Sequence, residues 1–322
     1  CDWSSDVCSS DLPKVDLAYC MTLPPKKAVE YLKNKGYAIT WDWEELWQDA
    51  QAQAFTVAKA TRLDILQDIR EAVEKALTEG KTLAWFAKEL TPVLQAKGWW
   101  GRQEHVDGET GEVSQVQLGS PWRLQTIYRT NLQTAYMAGR FQSQLENIDD
   151  RPYWQYVAIL DGRTRPSHRA MNGKVFRYDD PFWGSFYPPN GWGCRCRVVA
   201  LSEDNLTKGG IKADSSSGKL GSAMKLVSEK TGEMREVATY RATDPATRRD
   251  IVFSPDVGWS YNPGAAAWQP DPKRYTGDLA KRKLLPGLLH LCLSGLADDL
   301  RIVGTSLDEL TPEEFRSMSL AV

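Results

Sequence analysis

The hydrophobic period of the chain changes near residue 151, and this change limits the folds that the chain can adopt. Upstream, apolar residues recur every three or four positions, which is the spacing of amphipathic helices, as in Leu63, Leu66, Ile69, Val73 and Leu77. Downstream, short runs of β-favouring residues alternate with Asp-Gly and Asn-Gly dipeptides, which favour turns between strands. The sequence therefore predicts an α+β fold: a helical N-terminal region, a small mixed α+β module with short strands, and an irregular C-terminal extension.

Particular residues predict where the helices begin, end or approach each other. Gly36 is the expected stop of a first helix, and Asp42 with Glu45 has the spacing of a capping box that opens a second. Pro92 should kink or split a later helix. In a long helix that begins at residue 121, Gly139 is small enough to let another element approach closely.

Shifts in composition divide the chain into five parts. A Gly/Ser-rich stretch after the module is typical of a flexible linker. The first residues resemble translated adapter sequence, so they are interpreted as a leader that is non-native or disordered. The predicted parts are a leader (1–23), a helical domain (24–150), the α+β module (151–206), a flexible linker (207–221) and a C-terminal extension (222–322).

Overall composition excludes several classes of protein. The chain has 322 residues, a formal net charge of −2 and 42% apolar residues, which is ordinary for a globular protein of about two domains. The mean hydropathy is −0.47, and we find no apolar run long enough for a membrane helix. Six cysteines in a chain of this length do not form the dense pattern of a secreted disulfide scaffold.

Residues 151–200 differ from the rest of the chain in aromatic content and charge. They contain ten Phe, Trp or Tyr residues, and eight Lys or Arg residues against three Asp residues. This composition fits an aromatic core rimmed by solvated arginines, a protein interface, or a surface for single-stranded nucleic acid. The candidates for contact with nucleic acid or a partner are Arg165, Arg169, Lys174, Arg197 and Trp183.

The Cys194-Arg-Cys196 motif is the sharpest local feature of the module. Two thiols one residue apart can share a soft metal ion, and His168 is expected on a neighbouring loop. His168, Cys194 and Cys196 are therefore candidate zinc ligands, with Asp161 or a water as the fourth. The alternative is that both cysteines are buried thiols that bind no metal.

A catalytic interpretation depends on the same histidine. His168 follows Ser167, and Asp161 is near in sequence, so a general-base arrangement can be drawn. We find no nucleophile elbow and no phosphate-binding glycine loop in the sequence. The chain is therefore predicted not to be an enzyme.

Several motifs in order resemble the Mu F-like head morphogenesis proteins of tailed phages, also called minor head proteins. The motifs are TIYRTNLQTAY (126–136), LDGRTRPSH (160–168), NGKVF (172–176) and GCRCR (193–197). AFTVA (54–58), GWWG (98–101) and GWSYNPG (258–264) look like the same family, so the likeness spans about residues 24–275. Many relatives carry a Cys-x-x-Cys pair after the Asp-x-Arg-Thr element. The matching positions here are Arg165 and His168, which leaves His168 as a ligand beside Cys194 and Cys196.

The resemblance implies a low-copy component of the phage head that acts in procapsid assembly, portal-associated DNA packaging or DNA delivery. The implied partners are the phage portal and the capsid or scaffold proteins, with DNA as a further candidate and no membrane. The implied location is the interior of the virion head, and the host cytoplasm during assembly. The alternative is a nuclease or toxin-like effector domain carried by a phage head protein, with His168 as its base.

Within this interpretation the module is a centre for folding and docking. Asp161 and Thr164 are expected to set a turn, and Arg163 is expected to pair with an acid or a phosphate. Arg195 belongs to the same structural set. The two cysteines are expected to tie the returning strand to this turn.

Overall fold

The structure of the chain is a computed structural model that describes residues 25–106, 111, 113–228, 231–243 and 250–268. Over these residues the fold is α+β, as predicted. The described residues from Pro25 to Ala267 belong to one compact unit. The predicted leader (1–23) and the part of the predicted extension beyond residue 268 lie outside the described residues.

The helical region contains five α-helices, one 3-10 turn and two small pairs of strands among the described residues. Its elements are α1 (Lys26–Lys33), β1 (Gly36–Tyr37), the 3-10 turn (Trp43–Glu45), α2 (Asp49–Gln53), β2 (Ala54–Phe55), α3 (Leu63–Glu79), α4 (Leu83–Ala96), β3 (Arg102–Val106), β4 (Val113–Gln117) and α5 (Pro121–Leu145). β1 and β2 pair in parallel, whereas β3 and β4 form an antiparallel hairpin.

Local signals explain the best-defined helix ends. Gly80 ends α3 in the left-handed conformation, with a φ of 64°. Ser120 caps α5, because its hydroxyl accepts a hydrogen bond from the Arg123 amide at 3.2 Å. Pro121 occupies the first helical turn, where a missing amide proton costs nothing.

The close approach predicted at Gly139 is made by α1. A Cβ atom at this position would lie 2.8 Å from the Ala28 nitrogen and 3.2 Å from the Ala28 Cα. Both neighbouring atoms belong to the backbone, so a side chain could not be accommodated by rotation. The missing Cβ therefore lets α1 pack directly against α5.

Three local predictions for the helical region differ from the structure. α1 ends at Lys33, and Gly36 begins β1 instead of stopping the helix. The capping box of Asp42 and Glu45 forms, but it caps only the 3-10 turn, and α2 begins later. α4 continues through Pro92, so this proline does not split the helix.

The module that follows is built on a three-stranded antiparallel sheet. Its elements are β5 (Tyr153–Val157), α6 (Pro166–Met171), β6 (Val175–Arg177), α7 (Phe182–Phe186) and β7 (Arg197–Leu201). The strand order is β6-β5-β7. β5 ends at Val157, because the next amide, that of Ala158, donates to the Asn172 side chain at 2.9 Å instead of to a neighbouring strand.

The outer edge of β7 is covered by side chains of α5. Gln133 Nε2 donates to the Cys196 carbonyl oxygen at 2.9 Å. Gln144 Nε2 and Arg140 Nη1 both donate to the Val198 carbonyl oxygen, at 3.2 and 3.3 Å. These bonds satisfy carbonyl groups that an edge strand would otherwise expose. They also fix the strand that follows the two cysteines against the long helix.

The predicted linker (207–221) contains ordered contacts with the module. It includes the end of α8 (Glu203–Gly209), and Asp214 forms a parallel bridge with Phe176. The Asp214 amide donates to the Val175 carbonyl oxygen at 2.6 Å. Ser216 is only 1% exposed. This stretch is therefore packed along the β6 edge.

Beyond it lies a second antiparallel sheet that shares the core of the module. Its strands are β8 (Leu220–Ser228), β9 (Glu233–Thr243) and β10 (Asp250–Phe253), followed by α9 (Pro263–Trp268). The strand order is β10-β9-β8. Tyr240 of β9 and Phe253 of β10 lie in one hydrophobic cluster with aromatic residues of the module. Although predicted to begin a separate extension, these strands complete the module's core.

No helix among the described residues combines the length and the apolar character that a membrane span requires.

Candidate metal centre

α6 and the turn before β7 bring the three candidate ligands together. Pro166 begins α6, and His168 lies on its buried side, where its ring packs edge-on against Phe253 with 5.4 Å between centroids. The turn before the first thiol depends on Gly193, which has a φ of 68°. His168 is 4%, Cys194 9% and Cys196 3% exposed.

The ligand atoms of these three residues face one another. His168 Nδ1 lies 3.4 Å from Cys196 Sγ and 3.8 Å from Cys194 Sγ. All three atoms lie within 4.8 Å of one another. The other ring nitrogen, Nε2, lies 3.4 Å from Arg165 Nη1. Because a guanidinium can only donate, this contact favours the tautomer with the proton on Nδ1, facing the two sulfur atoms.

The two thiols lie close enough for each to shift the pKa of the other. A hydrogen bond from Cys196 holds the pKa of Cys194 well below its usual range, and His168 adds to this effect. The pKa of Cys196 is raised, first by its bond to Cys194 and then by burial. Burial raises the pKa of Tyr156, whose neighbours include both cysteines. The pair therefore favours one thiolate that is stabilised by hydrogen bonds.

Asp161 is part of a neighbouring ion-pair network and does not face the sulfur atoms. Its carboxylate accepts two hydrogen bonds from Arg195, at 2.7 and 2.6 Å. The Arg163 amide and the Thr164 hydroxyl also donate to Asp161 Oδ1, at 3.0 and 3.2 Å. These bonds hold the pKa of Asp161 well below its usual range, chiefly through Arg195. Asp161 is thus occupied as an acceptor, and the structure does not bring it into the cluster as a fourth ligand.

Arg163 makes a weaker contact than Arg195 with the same carboxylate. Its guanidinium lies 3.6 Å from Asp161 Oδ2, and its side chain is 78% exposed. Arg195 and Thr164 also contact each other, at 3.4 Å. The structural set predicted from the sequence therefore lies around one turn, with Arg163 directed towards solvent.

The residues predicted to contact nucleic acid or a partner fall into three groups. Arg165 pairs with Asp256 at 3.0 Å, and Lys174 with Asp214 at 3.7 Å. Arg169 and Arg197 are exposed and form no ion pair with another described residue. Arg169 Nη2 donates to the Asp161 carbonyl oxygen at 2.9 Å.

Trp183 forms the third group. Its prediction as a contact residue is wrong, because the structure buries it. It is 2% exposed, and its Nε1 donates to the Arg177 carbonyl oxygen at 3.0 Å. Its ring packs edge-on against Trp154 and Phe176 inside the core. An indole held in this way cannot reach a partner while the core is intact.

Sequence reasoning missed the residues that support the cluster from a distance. Asp256 accepts from Arg165 and from the Trp192 amide, at 3.0 and 3.1 Å. Gln133 and Phe253 contact the cluster from α5 and β10. The GWSYNPG motif begins two residues after Asp256 and was the available signal, but nothing in the sequence shows which residues it packs against.

Comparison with known proteins places these features in a family. Residues 67–199 match the family model described as "Phage Mu protein F like protein". A second model, "Glucose-6-phosphate dehydrogenase, NAD binding domain", matches residues 275–321, which lie outside the described residues. No solved structure matches the chain.

Two curated relatives match most of the chain. The chain is 50% identical over 259 residues to the protein named "Putative capsid assembly protein F" of Escherichia phage Mu. This alignment covers 80% of the chain and 58% of the relative. The chain is 46% identical over 235 residues to the "Mu-like prophage FluMu F protein" of Haemophilus influenzae, which covers 72% of this chain and 55% of the relative. The chain thus spans less than two thirds of the length of either relative.

Proposed function

Because the chain belongs to the family of phage Mu F-like proteins, we propose that it acts in assembly of the phage head, as a minor head protein associated with the portal. The observation that carries this proposal is the 50% identity over 259 residues to a relative named as a capsid assembly protein. The proposed stages are procapsid assembly and portal-associated DNA packaging or delivery. The proposed locations are the host cytoplasm during assembly and then the interior of the head.

The geometry around His168 supports a role without catalysis. One ring nitrogen faces Cys194 and Cys196, and the other faces Arg165. Asp161, which a general-base arrangement would use, is held by Arg195. Neither nitrogen is therefore available to take a proton from a substrate in this arrangement, which weakens the alternative of a nuclease or toxin with His168 as its base.

The distribution of charge supports a protein partner more than DNA. Several cations of residues 151–200 are neutralised by carboxylates, as in the pairs of Arg165 with Asp256 and Lys174 with Asp214. Most of the aromatic rings of this segment are buried, so they offer no platform on which bases could stack. Arg169 and Arg197 remain as exposed candidates for contact with DNA phosphates.

The turn around Asp161 offers an apolar contact point on the module. Leu160 is 61% exposed, and Arg163 also reaches solvent beside Asp161. Trp192, which is 41% exposed, lies three residues before Arg195, the partner of Asp161. Exposed Trp, Arg and aliphatic side chains supply anchors in protein interfaces. We place the portal contact at this turn.

Co-purification of the full chain with the portal protein of the same phage tests this proposal. The wild-type chain should co-elute with the portal protein, and Leu160→Asp should weaken binding at least about tenfold, because a charge would be buried in the contact. Val113→Asp is the matched control, since Val113 is also aliphatic and 60% exposed but lies on the β3–β4 hairpin. Circular dichroism should show that both variants are folded.

Two results would contradict the proposal at different levels. If the wild-type chain binds neither the portal protein nor another head protein, the assembly role fails. If the portal protein binds wild type, Leu160→Asp and Val113→Asp equally, the role stands but the contact lies elsewhere. An association that falls steeply with salt would point to DNA phosphates instead of a protein contact.

A further inference from the structure

We propose that His168, Cys194 and Cys196 bind one Zn²⁺ ion through Nδ1 and the two Sγ atoms, with a water as the fourth ligand in the isolated protein. This inference concerns the folding of the module and does not depend on the proposed portal contact. It rests on the placement of the three ligand atoms, on their burial, and on the way that neighbouring residues hold them.

The distances match the edges of a zinc tetrahedron. Zinc binds imidazole nitrogen at ~2.0–2.1 Å and thiolate sulfur at ~2.3 Å, so tetrahedral geometry places the two ligand atoms ~3.5–3.6 Å apart. The observed separations from His168 Nδ1 are 3.4 Å to Cys196 Sγ and 3.8 Å to Cys194 Sγ. The ion would therefore fit between the three atoms with shifts of a few tenths of an ångström.

The chemistry of the donor set selects the metal. Two thiolates and an imidazole form a soft, nitrogen and sulfur set that suits zinc, whereas calcium and magnesium require oxygen ligands. The nearest carboxylate in sequence, that of Asp161, is already engaged by Arg195. The cluster has no fourth His, Cys, Asp or Glu ligand among the described residues, which leaves one coordination position for a water.

The local charge also suits a divalent ion. The guanidinium groups nearest to the cluster have their own carboxylates, because Arg165 pairs with Asp256 and Arg195 with Asp161. Two thiolates and one Zn²⁺ are together neutral, so binding would leave no unpaired charge in this buried site. Without a metal, two negative sulfur atoms would repel each other in this buried site, which disfavours ionisation of both thiols.

Contacts around the cluster hold the ligands in place before any ion binds. Gln133 Nε2 donates to the Cys196 carbonyl oxygen at 2.9 Å, which fixes the thiol turn to α5. Zinc at Nδ1 would move the ring proton to Nε2, so Arg165 Nη1, which now lies 3.4 Å from Nε2, would have to turn away. The Phe253 ring, with its centroid at 5.4 Å, would still hold the imidazole in its orientation. Such support from outside the ligand set is typical of metal sites.

Metal analysis of the full chain tests the proposal. The chain is purified through a tag without histidine and without chelators, and its metal content is measured by mass spectrometry. We expect about one zinc per chain in the wild type and a loss of at least about tenfold in Cys196→Ser and His168→Asn. His105→Asn is the matched control, because it makes the same chemical change as His168→Asn at a histidine of β3 that is not in the cluster, and it should retain the zinc.

A second measurement keeps the test decisive if the variants fail to fold. Replacement of zinc by Co²⁺ in the wild type should give the visible absorption bands of tetrahedral cobalt with thiolate ligands, and chelation should lower the Tm. The proposal is overturned if folded wild-type chain, incubated with Zn²⁺, holds less than about a tenth of an ion per chain. It is also overturned if the site holds another metal instead, or if peptide mapping finds a disulfide between Cys194 and Cys196.

Discussion

At the scale of the residue, the guanidinium groups of two arginines approach the Asp161 carboxylate, but only that of Arg195 forms hydrogen bonds with it. Arg195 forms two short bonds with the carboxylate, whereas the Arg163 guanidinium lies at 3.6 Å and its side chain is largely exposed. A planar guanidinium that bonds both carboxylate oxygens is a more specific partner than a single distant contact. Arg195 lies between the two cysteines in sequence, so this ion pair also positions the thiol turn.

The Asp161 ion pair predicts a pH dependence of stability. The lowered pKa of Asp161 means that its ionised form stabilises the fold above its unfolded pKa of ~3.9, and that this contribution is lost as the pH falls through the folded pKa. Asp161→Asn should therefore lower the Tm at pH 7, with a difference from wild type that shrinks as the pH falls below about 4. Thermal melts followed by circular dichroism from pH 7 to pH 2 measure this difference.

Asp204→Asn provides the comparison, because Asp204 pairs with Lys208 on the exposed surface of α8. An exposed ion pair contributes little to stability, so this variant should follow the wild-type melting curve. Because the side chain of Asp161 is itself 35% exposed, the expected effect is modest. If the difference in Tm between Asp161→Asn and wild type stays the same from pH 7 to pH 2, Arg195 does not stabilise the fold through this carboxylate.

At the scale of the element, the contact of α1 with α5 depends on one missing methyl group. A Cβ at Gly139 would meet backbone atoms of Ala28, so Gly139→Ala should lower the free energy of unfolding by about 1–3 kcal/mol. Gly184→Ala in α7 makes the same change where no atom lies within 4 Å, and it should raise this free energy by about 0.5–1 kcal/mol. Denaturant unfolding of the two variants measures both values. Effects of the same sign would contradict the close approach.

Elements with strong local signals were predicted well from the sequence. The long helix predicted to begin at residue 121 begins at Pro121, and the close approach predicted at Gly139 is present. The cluster of His168 with both cysteines was also predicted, because two thiols one residue apart and a histidine in the same small module are residue types that can share a metal ion.

The errors arose where distant contacts decide the local structure. Gly36 pairs with Ala54 in a strand instead of ending a helix. The aromatic richness of residues 151–200 could not distinguish a core from a surface, and Trp183 proved to belong to the core. Asp256 could not be connected to Arg165 because the two are far apart in sequence and meet only in the folded chain.

At the scale of the whole molecule, the two sheets on either side of the predicted linker share one core. The Phe176, Phe182 and Phe186 rings of the module pack against Tyr240, which belongs to β9. Phe253 of β10 contacts Tyr156 and His168. The match to the family model ends at residue 199. It therefore leaves out β9 and β10, which complete the core of the matched module.

Two adjacent residues of β10 test this dependence. Phe253 is 0% and Val252 is 58% exposed. Phe253→Ala should lower the free energy of unfolding by about 3–5 kcal/mol, because it leaves a cavity in the shared core. Val252→Ala should change it by no more than about 0.5 kcal/mol. Denaturant unfolding followed by tryptophan fluorescence measures both, and a chain ending at residue 206 that unfolds as cooperatively as the full chain would contradict the shared core.

Both borders of the module's sheet are closed from within the same chain. Gln133, Arg140 and Gln144 donate to the carbonyl groups of Cys196 and Val198 at the start of β7, and Asp214 bridges to Phe176 of β6. A neighbouring copy could therefore add a strand at either border only by displacing these contacts. A second copy would therefore meet side chains, and not backbone, at these two borders.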